Sequence, residues 1–191
     1  PLALVDDDYE AGANVRGEQG HLYVTSGTSF AAPHVAGDAS LLFSVNPRLT
    51  ARQVRNMLLQ SAVDIEKPGV DPLSGYGRLD AAAALAADPD FYIEALITGV
   101  ATARQDGALV VQVLGDANAD SFASARLEIG EGEDPEDWTV VEPKIEKPVR
   151  GGVMAAVPAA LLRSAPRWTI RIVVEHENGR SREARFDLAL K

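Results

Sequence analysis

The sequence predicts an α/β segment followed by an all-β antiparallel sandwich. Up to about residue 88, apolar residues recur at the three-to-four-residue spacing of helices. From Phe91 onward they alternate with a period of two, as in strands with one buried face. The pattern changes at Pro89 and Asp90, so the predicted domains are residues 1–89 and residues 90–191.

Three helices are predicted in the first domain. The first follows Pro33 and ends at Asn46-Pro47, and its apolar side chains exceed one stripe, so we expect burial on most sides. The second begins at Thr50, with Gln53 three positions later as in a capping box. The third is capped by Asp80 and stops at Asp88-Pro89.

The second domain contains about seven short strand patterns over about 100 residues, which is typical of a two-sheet sandwich. Asn178-Gly179 predicts a tight hairpin between the last two, because both residue types tolerate positive φ angles. Trp138 and Trp168 lie on alternating segments and are predicted to be core residues. The predicted strands lie near 93–102, 109–114, 123–129, 138–142, 153–157, 168–174 and 184–190.

Composition excludes some classes of function. The net charge of −10 leaves no basic surface typical of nucleic-acid binding, and the chain has no cysteine for disulfides or thiolate metal sites. No apolar run approaches the ~20 residues that span a bilayer, and the sequence contains no signal-peptide pattern. Since the sequence opens at Pro1 with a strand-like Leu2–Val5, we expect a fragment of a longer protein.

The stretch GTSFAAPHVAG, residues 27–37, places a serine close to a histidine. Ser29 precedes the first helix, where free N–H groups and the helix dipole stabilise a developing oxyanion. His34 is five residues further on, which on a helix is about 7.5 Å of rise and about 140° of rotation. A general base must be ~3 Å from the hydroxyl, so His34 is predicted to be a structural residue.

This stretch resembles the serine motif of the subtilases, the subtilisin-like serine peptidases. Gly75-Tyr76-Gly77-Arg78-Leu79-Asp80-Ala81 is similar to the segment that closes their catalytic domain. The resemblance covers roughly residues 1–87 and implies the C-terminal portion of a doubly wound parallel-sheet domain. It implies that Ser29 is the catalytic nucleophile and that its N–H forms half of the oxyanion hole.

The other catalytic residues of that family precede the serine, in Asp-Ser/Thr-Gly and His-Gly-Thr-His stretches that this sequence lacks. The resemblance to this family implies a secreted or cell-surface endopeptidase that acts on a protein or peptide substrate. Its activity would depend on the missing N-terminal part of the catalytic domain, and this chain alone should be inactive. Neither nucleic acid nor membrane is expected as a partner. The alternative is a non-catalytic β-sandwich adhesion or interaction protein that carries a protease remnant.

No cofactor or metal is expected in this chain, although the resemblance allows calcium in the complete protein. The acidic runs Asp6-Asp7-Asp8 and Asp116–Asp120 are weak calcium candidates, because the second lacks the glycine and glutamate of a calcium-binding loop. Asp38 stands four residues after His34, on the same helix face, and we hypothesise a local pair or a groove-facing carboxylate. Residues 90–191 resemble fibronectin-type or immunoglobulin-like modules.

Overall fold

The computed structural model describes residues 2–5, 14–17, 20–24 and 27–190, which divide into two compact units, residues 1–48 and 49–191. The helices are α1 (Thr28–Val45), α2 (Ala51–Ser61) and α3 (Ala81–Ala86), with a short 3-10 helix at Ala159–Leu162. The strands are β1 (Leu2–Val5), β2 (Asn14–Gly17), β3 (Gly20–Val24), β4 (Ile93–Gln105), β5 (Ala108–Ala119), β6 (Phe122–Glu131), β7 (Thr139–Ile145), β8 (Val149–Pro158), β9 (Arg167–His176) and β10 (Ser181–Ala189).

The first unit contains a three-stranded sheet in the order β1-β3-β2, and both of its strand pairs are antiparallel. The predicted doubly wound parallel sheet is therefore not formed by the described strands. Parallel neighbours need a crossover connection of about a dozen residues or more. Only two residues connect β2 to β3, which allows antiparallel pairing alone.

Helix α1 is apolar but largely exposed in this chain. Of its described residues only Leu42 is buried, with 2% of its surface exposed. Val35, Leu41, Phe43 and Val45 are 38–67% exposed. The prediction that α1 is buried on most sides is wrong for this chain, because its apolar surface lies around the whole helix and the described residues cover one part of it.

Helix α2 follows the predicted start signal. Thr50 accepts the Gln53 N–H at 3.3 Å and its own N–H donates to the Gln53 side chain at 2.9 Å, which completes the capping box. The apolar residues Val54, Met57 and Leu58 are buried. In the third helix, the Asp80 side chain accepts the Ala83 N–H at 2.9 Å, as the sequence predicts.

The amide side chains of α2 hold the segment that leads into β4. Asn56 donates to the Pro89 carbonyl at 3.3 Å. Gln60 donates to the Ile93 carbonyl at 3.2 Å and accepts the Ile93 N–H at 3.3 Å. These bonds give the α2 segment a fixed place beside the start of the first sandwich strand.

The seven predicted strands of residues 90–191 are confirmed as two antiparallel sheets. One has the order β4-β5-β8 and the other has the order β10-β9-β6-β7. Their inner faces share one apolar core, whose fully buried members include Val113, Leu127, Val157, Ile170 and Ile172.

The loop before α3 joins this sandwich. Val70 pairs in parallel with Ala184 of β10, and both side chains belong to the sandwich core. The chain divides into its two compact units between Arg48 and Leu49, whereas the sequence pattern changes at residues 89 and 90. Helical periodicity stops at the predicted boundary, but hydrogen bonding and apolar packing continue across it.

The two tryptophans differ in environment. Trp168 is buried in the core, as predicted, and its indole N–H donates to the Leu162 carbonyl at 3.1 Å. Trp138 is only half-buried, so its prediction as a core residue is wrong. Its ring lies 3.9 Å from the guanidinium carbon of Arg171 and 5.3 Å from that of Arg185. Trp138 therefore packs on charged groups by cation–π contact.

In the described parts of the chain, no helix is both long enough and apolar enough to cross a membrane.

Candidate active site around Ser29

Ser29 is the second residue of α1 and is exposed to solvent. The first N–H groups of a helix have no partner within it, so the Ser29 N–H lies among the free donors of the first turn. The N-cap is Gly27, and the first turn carries no acidic residue that would offset the positive end of the helix dipole. This end of α1 is suited to hold a negatively charged oxygen beside the Ser29 hydroxyl.

Gly27 leaves the space above that hydroxyl open. Its φ of 162° and ψ of 155° describe extended backbone that any residue adopts. A Cβ atom at this position would stand 3.6 Å from Ser29 Oγ and 3.8 Å from the Phe30 ring. The absence of a side chain at residue 27 therefore matters for access to Ser29 and not for backbone conformation.

Pro33 lies deeper in α1 than the sequence suggests. Because α1 begins at Thr28, Pro33 is its sixth residue and not one of the first four. The N–H group that proline lacks would have bonded to the carbonyl of Ser29. The Ser29 carbonyl thus loses its regular helical partner.

His34 is bound to its own helix. Its Nδ1 lies 2.7 Å from the Phe30 carbonyl, so Nδ1 carries the proton and donates it one turn back. The described residues include no hydrogen bond between His34 and Ser29. The predicted structural role of His34 agrees with this geometry.

Asp38 does not form the hypothesised pair with His34. Its Oδ2 is buried and has no hydrogen-bond partner among the described groups. The His34 ring is instead directed to the Phe30 carbonyl. Nothing in the described residues therefore links Asp38 to Ser29.

The acidic run Asp116–Asp120 makes hydrogen bonds to neighbouring protein groups. Asp116 and Asn118 lie in strand β5 and bind protein groups, since Asp116 accepts the Gly151 N–H at 2.7 Å and Asn118 donates to the Tyr92 hydroxyl at 3.2 Å. Asp120 accepts the Tyr92 N–H at 2.8 Å. Asp6-Asp7-Asp8 lies outside the described residues.

Comparison with known proteins identifies relatives of the Ser29 segment. Residues 14–77 match the sequence profile of the subtilase family. Subtilisin-like protease 1 of Plasmodium berghei is 50% identical over 56 residues, or 28% of this chain. The cell wall-associated protease of Bacillus subtilis is 34% identical over 118 residues, or 48% of this chain. Mycosin-4 of Mycobacterium tuberculosis is 44% identical over 72 residues, or 38% of this chain.

The chain spans 9%, 13% and 15% of the length of these three relatives, respectively. No solved structure matches the chain.

Proposed function

From the match of residues 14–77 to the subtilase family, we propose that the chain is part of a serine endopeptidase that cleaves peptide bonds through an acyl-enzyme on Ser29. The observation that carries the proposal is the position of Ser29, exposed at the dipole-positive end of an 18-residue helix. Its hydroxyl attacks the substrate carbonyl, and its own N–H donates to the oxygen that becomes negative.

A serine hydroxyl needs a base to remove its proton. His34 is committed to the Phe30 carbonyl, and the described residues offer Ser29 no other histidine or carboxylate partner. We therefore assign the catalytic histidine, its orienting aspartate and the second oxyanion donor to polypeptide outside residues 1–191. On this proposal the 191-residue chain alone is inert.

The exposed apolar surface of α1 also supports the proposal that the rest of the catalytic domain lies outside residues 1–191. Val35, Leu41 and Phe43 would be covered by the remaining part of the catalytic domain, which is the proposed partner of this chain. That remaining part would supply most of the substrate cleft and any calcium site. The substrate is a protein or peptide, and the intact enzyme acts outside the cell or at its surface.

Residues 90–191 are proposed as an accessory module of the immunoglobulin-like class. In chain order, the first, second and fifth strands form one sheet and the third, sixth and seventh form the other, as in those sandwiches. The fourth strand, β7, pairs with β6, whereas constant immunoglobulin domains place that strand on the opposite sheet.

A fluorophosphonate probe, which reacts with activated serines, tests the catalytic proposal. In a longer polypeptide that adds the upstream aspartate and histidine, we expect labelling that Ser29→Ala abolishes and His34→Gln retains. In residues 1–191 alone, labelling should not exceed that of Ser29→Ala. Equal labelling of the short and long chains would contradict the assignment of the base to outside polypeptide.

The same experiment decides the alternative function. The sandwich forms the larger part of the chain and contributes most of the buried core to which Val70 also belongs, which is what a β-sandwich interaction protein with a protease remnant requires. A longer polypeptide that carries all three triad residues and still resists the probe would favour that alternative.

A further inference from the structure

A small cavity between α2 and the sheet β4-β5-β8 gathers three arginines in a chain of net charge −10. It measures about 210 Å³ and is lined by Arg52, Arg55, Asn56, Tyr92, Glu94, Asn118 and Arg150. Glu94 is the one acidic residue in that lining, so the cavity has a local charge of +2. We propose that this cavity, defined as the Arg52–Arg150 cavity, binds a dianionic oxyanion of the phosphate or sulfate type.

The guanidinium groups retain free donors. Arg55 donates to Glu94 at 3.3 Å, which leaves most of its N–H groups unused. Arg150 donates to the Tyr92 hydroxyl at 3.1 Å. Arg52 makes no ion pair or hydrogen bond with another residue in the described part of the chain. Three guanidinium groups around one cavity repel one another, and a bound anion would offset that repulsion.

The polar floor of the cavity is held in place. The Tyr92 hydroxyl accepts from Arg150 and from Asn118, whose Nδ2 lies 3.2 Å away. A phenol that accepts two hydrogen bonds has its own proton left to donate. Asn118 and Asn56 are 3% and 5% exposed, and Asn56 is fixed by its bond to the Pro89 carbonyl. The tyrosine hydroxyl is therefore a positioned donor at the base of the cavity.

Charge and shape select the ligand class. A phosphate group carries a charge of about −1.5 to −2 at pH 7, which balances the local charge of +2. Guanidinium forks bind phosphate oxygens in pairs, and three forks with one phenol suit a tetrahedral group with several acceptor oxygens. The neighbouring Asp116 does not line the cavity, and one of its oxygens is occupied by the Gly151 N–H.

Titration of the 191-residue chain with inorganic phosphate, followed by calorimetry at constant ionic strength, tests the site. We expect saturable binding that chloride does not reproduce. Arg52→Gln and Arg150→Gln should each weaken it by about tenfold or more, because each removes charged hydrogen bonds. Arg163→Gln, an exposed arginine outside this cavity, is the matched control and should leave the affinity unchanged.

A phosphoserine peptide added in a parallel titration distinguishes a free anion from a polypeptide-borne group. Affinity at least tenfold above that of inorganic phosphate would assign the group to a peptide, and equal affinity would assign it to the free ion. The proposal is overturned if phosphate binds no better than chloride, or if Arg163→Gln weakens binding as much as Arg52→Gln does. Circular dichroism of each variant checks that the exposed substitutions leave the fold intact. None of these measurements involves Ser29, so the site and the protease proposal fail independently.

Discussion

Val70 stands beside Ala184 as a parallel neighbour on the outer edge of the four-stranded sheet. The Val70 N–H donates to the Glu183 carbonyl at 2.8 Å, and the Val70 carbonyl accepts the Arg185 N–H at 3.0 Å. Both side chains are buried, with 6% and 1% of their surfaces exposed. A loop of the segment that matches the subtilase profile thus pairs with the edge of the sandwich at one residue.

Gly69 allows this close approach, and we predict that Gly69→Ala destabilises residues 49–191 by about 2–4 kcal/mol. Its φ is +85°, and an added Cβ would lie 2.4 Å from the Glu183 carbonyl oxygen. The cost combines left-handed backbone strain with displacement of the β10 edge. Urea unfolding monitored by tryptophan fluorescence measures it.

Gly179→Ala is the matched control, because its φ is +82° and nothing lies within 4 Å of the added Cβ. It should cost only the backbone strain, about 1 kcal/mol. Equal losses in the two variants would show that the contact between residue 69 and β10 contributes nothing.

Glu128 is a buried carboxylate between two arginines, and we predict that Glu128→Ala lowers the free energy of unfolding by about 3 kcal/mol. It is 5% exposed, accepts from Arg126 at 3.0 Å and pairs with Arg171. Removing it leaves the mostly buried Arg171 without its main partner. Thermal unfolding measures the loss.

The exposed pair of Lys144 and Glu146 provides the comparison, since both side chains are more than 60% exposed. Glu146→Ala should change stability by less than about 0.5 kcal/mol. A small loss for Glu128→Ala as well would mean that burial adds nothing to its arginine pairs.

Asp120 makes the sandwich sensitive to acid. Burial raises its pKa, but hydrogen bonds from the Tyr92 N–H and from His176 outweigh burial and hold that pKa below its ordinary value. A depressed folded-state pKa stabilises the protein above the unfolded-state pKa of about 3.9, and this stabilisation disappears as the pH falls through the folded value.

We therefore predict that the free energy of unfolding declines below about pH 4 and that Asp120→Asn reduces the decline. Denaturant unfolding between pH 2 and pH 6, with Asp106→Asn on an exposed hairpin as control, checks this expectation. An unchanged acid slope in Asp120→Asn would contradict it.

Gly27 lies above the proposed nucleophile, and we predict that Gly27→Ala slows fluorophosphonate labelling of Ser29 by more than about tenfold. Its extended backbone accepts alanine, so stability should change by no more than about 0.5 kcal/mol. The added methyl group would stand 3.6 Å from the hydroxyl oxygen, where the probe must approach. Labelling rates in the longer, active polypeptide measure the effect, and an unchanged rate would show that a methyl group at residue 27 does not restrict access to Ser29.

Local signals predicted the helices well. The Thr50–Gln53 box, the Asp80 cap and the Asn46-Pro47 stop act within a few residues, so neighbouring sequence determines them. The last hairpin lies where the sequence predicts it. Of Asn178 and Gly179, only Gly179 has a positive φ, and the loop is one residue longer than a two-residue turn. Asp106-Gly107, where both φ angles are positive, forms the two-residue turn, and Asp-Gly is a residue pair that favours such turns.

The sequence pattern did not predict the long-range contacts. Alternation assigns Arg171 to one face of β9, but it does not identify Trp138 as the ring that covers it. Val70 pairs through a single residue in an irregular loop, which leaves no periodic pattern. For the site, the motif predicted where Ser29 lies, whereas the missing base depends on residues that a short motif does not contain.

The parallel pairing of Val70 affects where a fragment containing the β-sandwich should begin. A fragment that starts at residue 90 would lose the two backbone hydrogen bonds from Val70 to β10, and an unpaired edge strand can pair with a strand from another molecule. Fusions that graft the sandwich onto a new enzyme should therefore begin at residue 49. Those that begin at the change in sequence pattern should self-associate more readily through β10.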